Sequence, residues 1–205
     1  MIKNQLKLEH ILAFADAIFA FSITFMAVSI HLPELPRNLT EAQVVDELLK
    51  SIPEFEIYVI SFFVIGIYWI SYHQLFNHIE GSSSTLTWLT LIFLFFITLI
   101  PFATNLQVGF GQYHITFILF ALDLAISGFL QTIVWANATK NKLIDESLTR
   151  DEIRYTLLQT IDSPTIFLLS ILVSFIDIQS AYYFWLLIIP AEMIVHKRYS
   201  KLPIR

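Results

Sequence analysis

At 205 residues, with 56% apolar side chains against 14% charged ones, the chain carries more hydrophobic surface than a soluble domain of its size can bury. Nineteen phenylalanines exclude that class and leave the polytopic membrane proteins. A net charge of -5 lacks the basic excess that nucleic-acid binding requires, and the absence of cysteine excludes disulfides and thiolate metal sites.

Lys3 and Lys7 precede the first apolar run, whose 20 residues from Ile11 to Ile30 match the length of about 20 that crosses a hydrocarbon core. The run is too long for a signal-peptide core and no small-residue cleavage site follows it, so it is expected to be a retained span. Near its start stands Asp16, a carboxylate that is costly inside a membrane unless something pairs with it. The helix is expected to end near His31, before Pro33 and Pro36.

Asn38 to Ser51 carries Glu41, Asp46 and Glu47 beside Val44, Val45, Leu48 and Leu49, the pattern of a short amphipathic interfacial helix. Span two runs from Ile57 to Phe76 without an acid, Lys or Arg, and holds Gly66, Trp69 and His73. After a polar turn over 80–84, span three covers Thr85 to Leu106, interrupted by Pro101. Span four runs from Tyr113 to Trp135 with Asp123 near its middle. The charged segment from Lys140 to Arg154 predicts a helix outside the bilayer. Spans five and six have short uninterrupted cores, 14 residues from Ser163 to Ile176 and 12 from Ser180 to Ala191. Either they extend through Asp162 and Glu192 or they form a re-entrant hairpin; full spans are preferred, because 155–161 and 193–195 can complete them.

The expected fold is therefore all-α, a single transmembrane domain of six helices over residues 1–205. With six spans, Lys3, Lys7, Lys140, Lys142, Arg150, Arg154, Lys197, Arg198, Lys201 and Arg205 fall on one side, and only Arg37 and Lys50 on the other. The positive-inside rule then predicts that both termini are cytoplasmic.

On span one, Asp16, Ala20, Ile23, Ala27 and Ile30 share one face, and Phe14, Ala17, Phe21, Thr24, Phe25 and Val28 share another. The first is expected to pack, its small residues letting a neighbour approach. The second could pack or line a pore. His10 and His73 are the imidazoles that could pair with Asp16; one acid and two scattered histidines are no zinc motif. His31, His78, His114 and His196 read as interfacial. Asp123 could be protonated and bonded to a neighbouring helix, or could face a wet cavity. Pro101 and Pro190 are expected kinks, and Trp69, Trp88, Trp135 and Trp185 suit interfacial anchoring or core packing equally. No set of nucleophile, base and oxyanion donors is visible, so no catalytic residue, cofactor or metal site is expected.

Four motifs in order resemble the transmembrane protein 175 family of endolysosomal and prokaryotic potassium channels. The family's first helix carries Arg, three residues, then Phe-Ser-Asp, an apolar stretch with Ile-Thr, and a closing Pro. Here these are His10, Phe14, Ala15 and Asp16, then Ile23, Thr24 and Pro33. Trp69, His73 and Phe76 match its second-helix pattern, Leu99-Ile-Pro101-Phe102-Ala-Thr104 its third, and Trp185 to Pro190 its last. Two departures stand in the first motif, His10 for Arg and Ala15 for Ser, in what the family uses as a buried polar network; the charge of His10 depends on protonation.

The resemblance implies a homotetramer with the first helix of each subunit lining a central pore. The family's constriction positions lie five, nine and twelve residues after the motif Asp, at Phe21, Phe25 and Val28, where relatives usually carry Ile or Leu. The carbonyl filter of ordinary potassium channels is absent, so selectivity would rest on a hydrophobic constriction and on hydroxyls such as Thr24. The implied function is a potassium-permeable cation channel, selective or weakly so, of a prokaryotic plasma membrane, its partners potassium ions, lipid and its own copies. The alternatives are a proton-coupled transporter using Asp16, His73 and Asp123, a membrane enzyme, or a structural subunit.

Overall fold

The computed structural model describes residues 6–28 and 40–199. Ile30, His31, Pro33 and Pro36 lie outside these residues, as do Lys3, Arg37, Lys201 and Arg205 of the charge pattern. Eight α-helices follow in order among the described residues: α1 Leu8–Val28, α2 Glu41–Lys50, α3 Ile52–Phe76, α4 Ser84–Phe110, α5 His114–Lys140, α6 Arg150–Ser174, α7 Ile178–Phe184 and α8 Ile188–Arg198. A single 3-10 turn, Trp185–Leu187, joins the last two.

Six stretches are long and apolar enough to cross a membrane: α1, Glu54–Phe76 of α3, α4, α5, α6, and α7 with α8 taken together. The last two reach 25 and 21 residues, roughly 37 and 31 Å at the helical rise, so by length they are full spans and not a hairpin. α2 is the expected amphipathic helix, with Lys50 Nζ 2.8 Å from both Asp46 Oδ2 and Glu47 Oε1. Pro101 does not interrupt span three, which continues as helix to Phe110. The sixth span is broken at Trp185–Leu187, just ahead of Pro190.

The helix expected over 140–154 does not form. α5 runs on to Lys140, and α6 starts at Arg150 because Thr149 caps it. The Glu152 carboxylate accepts the Thr149 N–H at 2.7 Å, and the Thr149 hydroxyl accepts the Glu152 N–H at 3.3 Å. Between them Lys142 takes a left-handed φ of 54°. The segment folds back on the 77–83 turn, where the Leu143 carbonyl accepts from Glu80 and Gly81 and the His78 carbonyl accepts from Asp145. Alternating charge signalled exposure there, but the backbone bonds were spent on this bracket and not on a helix.

α4 and α5 form the centre, α1 and α3 pack on one side, and α6 with α7 and α8 on the other. Phe93, Phe117, Phe120 and Trp135 fill the middle. Trp135 and Trp185 are core residues, donating to the Ile153 carbonyl at 3.1 Å and to Ser170 Oγ at 2.9 Å, whereas Trp88 is exposed. Pro164, inside α6, deprives the Thr160 carbonyl of its helical N–H, and the Thr132 hydroxyl of α5 donates to that carbonyl at 2.8 Å. The close approach needs Gly128, where an added Cβ would lie 2.8 Å from Pro164 Cβ. Gly128→Ala is therefore expected to lower stability by about 1–3 kcal/mol, because a proline ring cannot swing away. A thermal unfolding curve in detergent matching wild type would contradict this.

Candidate functional site

α1 is apolar around its whole circumference, so its packing face is decided by which large side chains the interior accepts. Ile11, Ala15, Phe19, Ser22 and Met26 are buried, and the Phe19 ring lies 5.9 Å from Tyr72 and 6.0 Å from Phe93. The expected packing face, Asp16 with Ala20, Ile23 and Ala27, is not the one used within the chain. Ala20 and Ala27 are exposed, and Ile23 is half-buried. The face that carries Phe19 and Met26 took the interior, because it buries more apolar surface than the face of Ala20 and Ala27.

The third side of α1 presents Phe14, Ala17, Phe21, Thr24, Phe25 and Val28, all exposed. Phe21 is 63% and Val28 76% accessible, far above any core residue. The Phe21 and Phe25 rings stack 5.8 Å apart with 18° between their planes. Thr24 donates to the Ala20 carbonyl of its own helix at 2.7 Å, leaving its oxygen lone pairs outward.

Asp16 stands at the edge of this surface and is held from α3. Trp69 and His73, four residues apart, project from one face of that helix. Trp69 Nε1 donates to Asp16 Oδ1 at 2.8 Å, and His73 Nε2 lies 2.7 Å from the same oxygen. The two rings meet edge to face at 4.9 Å. Hydrogen bonds to a carboxylate are the strong kind, and here they tie α1 to α3. Even so, the Asp16 side chain stays 48% accessible in the lone chain.

Of the two imidazoles that could serve Asp16, His73 is the one within reach. His10 is exposed and makes no hydrogen bond to it, since its position points toward the Phe14 side of α1. Ala15 is fully buried, packed where a serine would need a partner. Phe76 is buried and lies against Tyr72, ring centroids 4.2 Å apart. Thr104 of the third motif donates to Ser61 Oγ at 2.8 Å, joining α4 to α3.

Asp123 is 7% exposed, and among the described residues neither carboxylate oxygen has a hydrogen-bond partner; the neighbouring Tyr68 hydroxyl donates to the Leu124 carbonyl at 2.6 Å instead. No hydrogen bond among the described residues links it to Asp16 or His73. One further tie escaped the sequence reading, Gln131 Nε2 of α5 to Ser71 Oγ of α3 at 3.0 Å. Its only signal was an amide and a hydroxyl inside apolar runs. Among the described residues no three His, Asp or Glu side chains are grouped to hold a metal.

Comparison with known proteins agrees with this architecture. Residues 10–101 match the family described as endosomal/lysosomal potassium channel TMEM175. A potassium channel of Streptomyces collinus is 27% identical over 134 residues, covering 62% of this chain and 63% of that protein. A potassium channel of a Chryseobacterium species is 32% identical over 93 residues, 45% of each chain. The chain thus spans less than two thirds of the length of either relative. The crystal structure of a lysosomal potassium-selective channel TMEM175 homolog from Chamaesiphon minutus shares the fold, with a TM-score of 0.77 at 21% identity over 91% of this chain and 97% of that one. The first motif, the Trp69 and His73 pair and the start of the third motif all lie inside the region that is similar to the TMEM175 family.

Proposed function

We propose that the chain is the subunit of a potassium-permeable cation channel, in which four copies set α1 around a shared ion path faced by Phe21, Thr24, Phe25 and Val28. The observation that carries this reading is Asp16, bonded to α3 at the edge of the exposed side of α1 and still half-accessible. A carboxylate so placed is not tolerated against lipid, so that side of the helix must meet water or protein. Ala20 and Ala27, exposed beside it, are small enough for a sister helix to approach closely. Sister copies covering the Asp16 side leave the Phe21 and Val28 side turned toward the axis between them. The channel nature of the relatives supports the same reading, as do the apolar stripe and the absence of a carbonyl filter. Both termini then face the cytoplasm of a cell whose plasma membrane holds the channel, with lysines and arginines concentrated on that side.

Proteoliposomes carrying the full chain and loaded with potassium are expected to pass potassium faster than sodium. Protein that is folded and incorporated but passes neither ion would overturn the reading.

A further inference from the structure

We propose that Phe19 is a positioning residue for conduction: seated in an aromatic socket of α3 and α4, it keeps Phe21 and Phe25 turned out of the core and toward the ion path. The inference rests on the channel reading and adds to it the side chain that sets the rotation of the pore helix.

α1 is apolar on every side, and two of its sides compete for the interior. One holds Phe19 and Met26, the other Phe14, Phe21 and Phe25. At the helical repeat Phe21 stands roughly 160° round the helix from Phe19, so burying one turns the other out. The side that lies inside is poor apart from Phe19 and Met26. Ala15 is small, and Ser22 is buried with a hydroxyl that has no hydrogen-bond partner among the described residues, which is unfavourable at such depth. The side that lies outside offers three phenylalanines and Val28. Bulk alone therefore does not select the observed side.

Shape selects it. The Phe19 ring is 1% accessible and lies 5.9 Å from Tyr72 of α3 and 6.0 Å from Phe93 of α4, tilted 51° and 56° to them. Those two rings stack on each other, 5.7 Å apart with 9° between their planes. Phe76 backs Tyr72 at 4.2 Å, and Tyr68 meets Phe93 edge to face at 6.4 Å. The socket is thus built by α3 and α4 alone and receives one ring from α1 at the tilts and distances that aromatic pairs favour. Asp16, one turn before Phe19, holds the edge of α1 through Trp69 and His73, and Phe19 holds its core side.

With Phe19 trimmed to alanine, the rings of Phe21 and Phe25 become the largest groups on α1 near the height of the empty socket. Turning them inward carries Ala20 and Ala27 to the side that faced the path. The bonds of Asp16 resist that turn, so the variant divides between the two orientations.

The chain has no cysteine, so single cysteines report orientation without background. A water-soluble cationic thiol reagent is applied to vesicle-embedded full chain and its attachment read as a mass shift. In the native background Phe21→Cys is expected to label about tenfold faster than Ala20→Cys, and Phe19→Ala to bring the two rates within about threefold. Potassium flux through Phe19→Ala should rise and its preference over sodium fall, because small side chains then share the path. Phe93→Leu, which opens the socket from α4 and leaves α1 unaltered, should shift the rates in the same direction, and it decides the outcome if Phe19→Ala does not fold. Phe19→Leu, which fills most of the space, should keep the native order, as should Gly128→Ala, which weakens the α5 and α6 contact instead. The native order in folded Phe19→Ala or Phe93→Leu, or an equal shift in Gly128→Ala, would overturn the proposal and leave the channel reading standing. A Phe21→Cys that the reagent does not reach, in a chain that passes no ion, would overturn both.

Discussion

Replacing Phe21 and Phe25 together by alanine is expected to raise potassium flux by about tenfold or more and to reduce discrimination against sodium. The two rings stack on each other and, with Phe14, are the bulkiest groups on the exposed side of α1. A ring of such side chains closes a narrow path by excluding water as well as by filling it, so trimming both to a methyl group removes steric and dewetting barriers together. Buried phenylalanines cost about 3–5 kcal/mol on truncation, but that figure reflects a cavity left in a core. Phe21 and Phe25 are 63% and 48% accessible in the chain, so the double variant should fold and assemble. Flux through vesicles, measured beside the melting temperature of the same preparations, separates the two effects. Unchanged flux from a well-folded double variant would mean that the rings face lipid and that the path lies elsewhere.

How much of this was legible in the sequence depends on what kind of signal a residue leaves. Span lengths and the amphipathic α2 were legible because a run of apolar residues, or its interruption by acids, states the environment directly. The tie between Asp16 and His73 was legible because an intramembrane acid demands a partner and few polar groups lie at its depth. The rotational phase of α1 was not, since a helix with apolar residues on all sides gives period no contrast to work with. Only the packing of Phe19 against Tyr72 and Phe93 fixes it. Residues 140–154 failed for another reason: charge reports exposure, whereas the Thr149 and Glu152 cap and the bonds to Leu143 decide where helix begins. Pro164 shows the same gap. Its tolerance depends on Gly128 and Thr132 of another helix, a pairing that no local pattern encodes.

Asp16→Ala should act on assembly before it acts on conduction. The substitution removes the acceptor shared by Trp69 Nε1 and His73 Nε2 and strands two donors at membrane depth. Hydrogen bonds to a charged group contribute about 1.5–3 kcal/mol, and partial exposure in the lone chain places this pair toward the lower end, so about 2 kcal/mol per subunit is expected. The same face meets sister copies in the proposed tetramer, so the loss is felt four times there, and the oligomer should fall apart in detergent before the subunit unfolds. Asp16→Asn keeps an acceptor oxygen and should lose less. The pair also predicts its own coupling: His73→Ala in an Asp16→Ala background should cost less than His73→Ala alone, because the bond is already gone. Size-exclusion profiles and melting temperatures of the three single variants and the double variant measure all of this. Wild-type size and melting for Asp16→Ala would show that the carboxylate holds nothing together, and would remove the argument that α1 needs a sister helix at its side.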